Sequence, residues 1–214
     1  MARLKVGVLI SGRGSNMGAL LEACANPAFP AEIVTVISNK ADAAGLATAH
    51  AAGVPTAIVD HRNRSREDFE AELNAALKSA GVELICLAGF MRLLTAGFVT
   101  PWYGRLINIH PSLLPAFPGV DTHARALAGG VRLHGCTVHL VTEGMDEGPI
   151  LAQAAVPVAP GDTPETLAAR ILVAEHRIYP QALRWIAEAR VQIDGNIVHL
   201  AGARAVEEAV INPQ

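Results

Sequence analysis

Asn108 and His110 have the side-chain types and the spacing that acyl-transfer chemistry requires. They close the segment LINIH (residues 106–110), whose apolar residues predict a buried strand. Side chains alternate along a strand, so residues two apart share one face. An amide NH₂ can donate to an oxygen that gains negative charge, and an imidazole can move a proton near neutral pH. The pair therefore predicts chemistry on a carbonyl at a strand end, and the prolines of HPSLLPAFPG (110–119) would hold the following backbone in place.

A third group usually orients such an imidazole. The segment VTEGMDEGPI (141–150) follows a predicted strand and offers Glu143, Asp146 and Glu147, among which sequence spacing does not choose. A covalent intermediate is not expected, because no G-x-S-x-G elbow occurs and no cysteine has a motif context. Direct attack by a substrate amine is the better prediction.

A glycine-rich turn, SGRGSN (11–16), lies between the first predicted strand and the first predicted helix. Backbone N–H groups and a helix N-terminus can hold a phosphate there, and a plain tight turn with an N-cap is the alternative. Met17 stands where a dinucleotide-binding fingerprint needs glycine, and no Gly-Lys-Ser/Thr of a P-loop follows. We therefore expect a phosphate-bearing ligand without a second nucleotide.

The segment GFMRLLT (89–95) follows the fourth predicted strand. Its three apolar side chains, Met91, Leu93 and Leu94, would form a wall for a flat, partly apolar ring, and Arg92 would add a donor. The alternative is the start of a buried helix.

Short apolar segments alternate with helical patterns through the first half of the chain. They predict strands at 5–11, 32–38, 56–60, 83–90 and 106–110, and helices at 16–25, 43–53 and 65–81. Apolar strands separated by helices are typical of a parallel sheet covered on both faces. The second half predicts strands at 137–142 and 150–158 and a hairpin around Asp194-Gly195, so the sheet should become mixed. A long helix is expected at 163–189, with Pro180 kinking or breaking it.

Composition limits the classes of protein that fit. Half of the 214 residues are hydrophobic (51%) and the net charge is −3, which predicts a globular α/β protein with small-molecule ligands and no nucleic-acid partner. Three widely spaced cysteines argue against disulfides and zinc, and Cys86 should be a buried apolar residue. No apolar run is long enough for a membrane span. We expect a cytoplasmic protein, a monomer or homodimer, with one domain at 1–214 divided into halves at 1–100 and 101–214.

The remaining histidines carry weaker signals. His139 lies in a predicted strand and should pair with a carboxylate. No two histidines have a convincing metal-ligand spacing, so no metal is expected. Four others are expected at the surface or at strand ends: His50, His61, His134 and His199.

Six segments together resemble the phosphoribosylglycinamide formyltransferase family. They are SGRGSN, SNKADAAG, LAGFMRLL, NIHPSLLPAFPG, TVHLVTEGMDEGPI and AEHRIYP, and the similarity runs from about residue 5 to about residue 200. The resemblance implies a Rossmann-like formyltransferase fold with about seven strands. It also implies formyl transfer from 10-formyltetrahydrofolate, a co-substrate, to the amine of glycinamide ribonucleotide in purine biosynthesis.

The resemblance also implies roles for individual residues. Asn108 would hold the formyl oxyanion, His110 would handle the proton, and Asp146, selected here over the two glutamates, would stabilise the charged imidazole. The ribonucleotide would contact Gly14, Ser15, Asn16, Glu175 and residues 172–174. The folate would contact Arg66, Met91, Arg92, Leu93, Leu94, Asn108, Thr142, Glu143, Gly144, Met145 and Asp146.

This sequence departs from the family pattern in places. Some family members have a smaller polar residue in place of Arg13 and a polar residue in place of Leu172. No role is assigned to Arg13, Lys40, Asp121, His123 or His139. Two alternatives remain open. One is a formyltetrahydrofolate hydrolase, which uses water in place of the amine, and the other is a non-catalytic nucleotide or folate sensor.

Overall fold

A computed structural model of the chain describes residues 2–203 and 211–212. Its main feature is a seven-stranded sheet with the order β3-β2-β1-β4-β5-β6-β7. The strands are β1 Leu4–Ile10, β2 Ala31–Ser38, β3 Thr56–Ile58, β4 Leu84–Leu87, β5 Leu106–His110, β6 Leu133–Leu140 and β7 Ile150–Pro157. The helices are α1 Ser15–Ala25, α2 Gly45–Ala51, α3 Arg66–Ser79, α4 Ala96–Val99, α5 Thr122–Ala128 and α6 Pro164–Ala187. The predicted domain also contains residues 1, 204–210 and 213–214, which lie outside the described residues.

The direction of the strands changes halfway through the sheet. The strands β1 to β5 pair in parallel, whereas β6 runs antiparallel to both β5 and β7. The predicted α/β fold with a mixed second half is therefore confirmed. Two apolar clusters lie on the two faces of this sheet and include nearly all residues of β1, β4 and β5. Burial on both faces explains why these strands read as continuous apolar segments.

The C-terminal pair forms a small sheet of its own. The strands β8 Val191–Asp194 and β9 Ile197–Leu200 pair antiparallel, and Gly195 takes the left-handed conformation that a tight hairpin needs. The predicted hairpin is confirmed, outside the main sheet.

The long C-terminal helix is unbroken. α6 runs from Pro164 to Ala187 with Pro180 inside it, so the prediction that Pro180 could break the helix is wrong. Thr163 and Thr166 form a capping box at its start. A buried stripe continues on both sides of the proline and packs against α1, β6 and β7, which offsets the single missing backbone bond.

Helix α6 also fixes the strand ends that lead to the site. The buried Tyr179 hydroxyl lies 2.9 Å from the Leu87 carbonyl and 3.3 Å from the Ile107 carbonyl, to which it can donate. The ends of β4 and β5 are therefore tied to the helix that carries Glu175. In the described part of the chain, no helix is both long and apolar enough to cross a bilayer.

Candidate active site

Asn108 lies near the end of β5, opposite His139 on β6. Its Nδ2 is 3.2 Å from His139 Nε2, and His139 Nδ1 is 2.9 Å from the Leu140 carbonyl. Burial lowers the pKa of His139, with the Leu140 carbonyl and Asp146 opposing the shift. The neutral ring donates from Nδ1 to Leu140, so Nε2 accepts from Asn108. This orients the amide and leaves its second N–H for a ligand.

His110 lies on the same strand face and is buried, with 5% of its surface exposed. Its Nδ1 is 3.4 Å from Asp146 Oδ2, and its Nε2 is 3.1 Å from the Phe117 carbonyl. Both ring nitrogens therefore face acceptors, which fix the orientation of the ring. The geometry suits a group that holds a proton and delivers it.

Asp146 comes from the loop between β6 and β7 and stands between the two histidines. Its Oδ1 is 3.7 Å from His139 Nε2, and its Oδ2 accepts from the Gly119 N–H at 2.8 Å. Among the described residues, no other carboxylate lies within 4.0 Å of the His110 ring. Glu143 and Glu147 are both exposed. The structure thus brings together Asn108, His110 and Asp146.

The backbone after His110 is held by polar side chains of β6 and β7. Thr137 Oγ1 accepts from the Leu114 N–H at 3.0 Å, and Gln153 Nε2 donates to the Leu114 carbonyl at 2.8 Å. These bonds tie the proline-rich loop to β6 and β7. They therefore fix the Phe117 carbonyl that faces His110.

His134 is more buried than its sequence position suggests. It was expected at the surface or a strand end, and it is the second residue of β6, which begins at Leu133, but only 1% of its surface is exposed. The centroid of its ring lies 5.6 Å from the ring centroid of Phe117 and 5.5 Å from that of His123, and both pairs are edge to face. Burial, followed by the charges of His123 and His110, lowers its pKa to about 4. Within the described residues its Nε2 has no hydrogen-bond partner.

The segment after β4 has no regular secondary structure at residues 90–95, so the alternative of a buried helix start is not found. Two of its apolar side chains face solvent, Met91 at 64% and Leu93 at 53% exposed, while Arg92 and Leu94 are half-buried. Exposed apolar surface beside buried polar groups is typical of a ligand site.

The other expected folate contacts surround this segment. Glu70 on α3 accepts from the Thr95 N–H at 2.7 Å, and Arg66 lies one helical turn earlier on the same face. Arg66 is exposed at the edge of the segment. The loop after β6 contributes Met145, which is 48% exposed, and Thr142 and Gly144, which are half-buried.

The glycine-rich turn leaves the start of α1 open. Gly14 is the N-cap residue with φ 69°, and no side chain caps the helix. The expected alternative of a turn closed by a side-chain N-cap is therefore not found. Ser15 is exposed at the first helical position, so the free N–H groups of the first turn can bind an anion.

Asn16 and Glu175 join the two helices beside this turn. Asn16 Nδ2 donates to Glu175 Oε2 at 2.7 Å, and Asn16 Oδ1 is buried without a partner among the described residues. Burial raises the pKa of Glu175, and the bond from Asn16 opposes this. Of the neighbouring positions, Leu172 and Ala174 are half-buried and Val173 is 64% exposed.

Two negative expectations concern metals and cysteines. Within residues 2–203 and 211–212, no group of three or more His, Cys, Asp or Glu side chains could hold a metal ion. The three cysteines are buried and unpaired. The candidate site comprises the hydrogen-bonded side chains of Asn108, His110 and Asp146, with an open apolar segment and a free helix N-terminus at the same edge of the sheet.

Comparison with known proteins agrees with this architecture. The family model described as formyl transferase matches residues 4–183. The chain belongs to the formyl transferase family, as its motifs predicted.

Individual relatives show which members of the family the chain resembles. The phosphoribosylglycinamide formyltransferase of Escherichia coli (strain K12) is 43% identical over 202 residues, which cover 94% of this chain and 95% of the relative. The crystal structure of glycinamide ribonucleotide transformylase 1 from Symbiobacterium toebii is 50% identical with a TM-score of 0.90, covering 92% of this chain and 94% of that one. The trifunctional purine biosynthetic protein adenosine-3 of Gallus gallus is 50% identical over 192 residues. Those residues are 89% of this chain but 19% of that relative, so the chain spans about a fifth of its length.

Proposed function

We propose that this chain transfers the formyl group of 10-formyltetrahydrofolate to the amine of N1-(5-phosphoribosyl)glycinamide, a step of purine biosynthesis. One observation carries the proposal: an amide, an imidazole and a carboxylate meet at the end of β5, and on one side of it in the sheet β1 leads into a free helix N-terminus and β4 into an open apolar segment. The first can take a phosphate and the second a flat ring. The names of the E. coli and S. toebii relatives support the same substrates.

The reaction proceeds by direct attack of the amine on the formyl carbon. A carbon–nitrogen bond forms, and the carbonyl oxygen gains negative charge that the free N–H of Asn108 stabilises. The proton lost by the amine passes through His110 to N10 of the folate, as the bond between that nitrogen and the formyl carbon breaks. Asp146 stabilises the imidazole while it carries the extra proton. The products are the formylated ribonucleotide and tetrahydrofolate.

The two substrates bind at neighbouring parts of the sheet edge formed by the ends of β1, β4 and β5. The ribonucleotide phosphate binds at Gly14, Ser15 and Asn16, and Glu175 contacts the ribose and glycinamide. The pteridine ring lies along Met91–Leu94 and the loop at 142–146, and Arg66 contacts the folate tail. Charge supports the last assignment, because the exposed Arg66 guanidinium can pair with a carboxylate of that tail.

Release of tetrahydrofolate with and without the ribonucleotide tests the proposal. Turnover that requires the ribonucleotide is expected. Equal turnover without it would make the protein a formyltetrahydrofolate hydrolase. Folate binding without any turnover would favour a sensor.

The substitution Gly45→Ala is expected to raise the KM for the ribonucleotide about tenfold, because small displacements of a binding group are costly. The Gly45 N–H donates to the Gly12 carbonyl at 3.0 Å, so α2 supports the glycine-rich turn. A Cβ at this position would lie 2.7 Å from Ile10 Cδ1 and 3.1 Å from the Gly12 oxygen, displacing the turn. Steady-state kinetics at saturating folate measure the change.

Gly18→Ala in α1 is the matched control, because a Cβ there meets nothing within 4 Å. Its KM should stay within about twofold of the wild-type value, and alanine favours the helix. An unchanged KM in Gly45→Ala would contradict the assigned phosphate site.

A further inference from the structure

The strand order opens a crevice between β1 and β4. These strands are parallel neighbours, but the chain passes from β1 to β2 on one side and from β4 to β5 on the other. Ligands of open α/β sheets bind outside the strand ends at such a point. The residue after β1 is Ser11, and the segment after β4 is the exposed one that begins at Gly89.

Ser11 joins the two sides of this crevice. Its Oγ accepts from the Met91 N–H at 2.8 Å and donates to Asn39 Oδ1 at 2.6 Å, while its own N–H donates to the Gly89 carbonyl at 3.2 Å. Ser11 is 6% and Asn39 2% exposed. The hydroxyl is thus a buried junction whose donor and acceptor are both used.

Asn39 connects this junction to the ends of β1 and β3. Its N–H lies 3.4 Å from the Ile10 carbonyl, and its own carbonyl lies 2.9 Å from His61 Nδ1, just beyond β3. Asn39 belongs to the SNKADAAG motif, and the proposed reaction gives Asn39 itself no role. The motif therefore holds the Ser11 side chain in place through Asn39.

The exposed segment has few other supports at its start. Residues 90–95 form no helix or strand, and in the described part of the chain Ser11 Oγ is the only hydrogen-bond partner of the Met91 N–H. The far end is held separately by Glu70 at Thr95. Removing the Ser11 hydroxyl would therefore free the Met91 N–H, while the bond from the Ser11 N–H to the Gly89 carbonyl and the contact at Thr95 would remain.

We propose that Ser11 is a positioning residue for folate: its hydroxyl fixes Met91–Leu94 relative to the glycine-rich turn, of which Ser11 is the first residue. The inference rests on the proposed function, which assigns folate to this segment and the ribonucleotide phosphate to the turn. Ser11 touches neither reacting group. Ser11 sets the position of Met91–Leu94, along which the pteridine ring lies. It thereby sets the distance between the formyl carbon and the amine.

The substitution Ser11→Ala tests the proposal in the full chain. The KM for 10-formyltetrahydrofolate should rise about tenfold, because the Met91 N–H loses its acceptor and Met91–Leu94 lose their fixed position. The KM for the ribonucleotide and kcat at saturation should stay within about twofold. Direct titration with tetrahydrofolate should show the same weakening, so the result does not depend on turnover.

Ser38→Ala is the matched control. Ser38 is a fully buried serine at the end of β2, and its hydroxyl bonds only to Lys40, at 2.8 Å to the carbonyl and 3.0 Å from the N–H. Ser38→Ala should lower the thermal midpoint of unfolding about as much as Ser11→Ala does, and it should leave both KM values unchanged. An equal rise of the folate KM in this control would show a general loss of structure and overturn the proposal, as would an unchanged folate KM in Ser11→Ala.

Ser11→Cys tests the proposed role of Ser11 if Ser11→Ala does not fold. The thiol occupies similar space but is a weak acceptor, so tetrahydrofolate should bind several-fold more weakly, and wild-type affinity would refute the assigned role. Failure of the proposed function looks different. Wild-type protein would then not transfer formyl groups to the ribonucleotide, whatever the behaviour of the variants.

Discussion

Replacement of Asn108 by alanine is expected to lower kcat for formyl transfer by about 10²–10³-fold, the usual cost of removing one donor to a developing oxyanion. The His139 ring orients the amide from behind, so one N–H is fixed and the other is free for the substrate. The substrate carbonyl is neutral and needs this donor less than the tetrahedral intermediate does. The two KM values should therefore change little.

Asn74→Ala is the control that separates chemistry from folding. Asn74 is also half-buried, and its Oδ1 accepts from the ring nitrogen of Trp102 at 3.1 Å, away from the site. This variant should lose stability and keep its kcat. Single-turnover rates with both substrates saturating make the comparison, and a rate for Asn108→Ala within a few-fold of wild type would exclude Asn108 from the oxyanion site.

Acid is expected to destabilise the fold through His134. Between pH 6.5, the ordinary pKa of histidine, and pH 4, its pKa in the fold, the unfolded chain binds a proton that the folded chain does not. The free energy of unfolding should therefore be highest above pH 6.5 and fall by up to about 3 kcal/mol as the pH drops through this window. Burial also lowers the pKa values of His123 and His139, which adds to the loss.

Urea unfolding at several pH values measures this dependence. His134→Phe keeps a ring against Phe117 and removes the titrating group, so its stability should fall less steeply from pH 7 to pH 4. His199→Gln, at an exposed position of β9, should retain the wild-type slope. A wild-type slope in His134→Phe would show that the acid sensitivity arises elsewhere.

Sequence reasoning succeeded where local periodicity determines the outcome. The period of two predicted that Asn108 and His110 share a face, and the apolar strands predicted a sheet covered on both sides. The choice of Asp146 as the third member of the site had a different basis. Asp146 was chosen over its neighbours only by family resemblance, because its direction depends on a loop where it adopts φ 56° and accepts from Gly119. No local pattern contains that information.

The differences between prediction and structure also have physical causes. The burial of His134 was not anticipated, because the apolar pattern marks β6 only from residue 137, whereas pairing with β7 extends the strand back to Leu133. The predicted break at Pro180 does not occur, since tertiary packing of α6 outweighs a local penalty. The junction at Ser11 depends on which strands become neighbours, and a serine after a strand carries no sign of that.

The reversal of strand direction at β6 has a consequence for how the protein folds. The groups assigned to the reaction meet only after β6 has paired with β5 and the following loop has closed onto Gly119, 27 residues before Asp146 in the chain. The parallel half also needs a distant contact, because β1 pairs with β4, where Leu84 lies 78 residues after Val6. Long-range pairing is slow because the chain must lose loop entropy before the contact forms. We therefore expect refolding to recover helical structure, which forms locally, before it recovers activity.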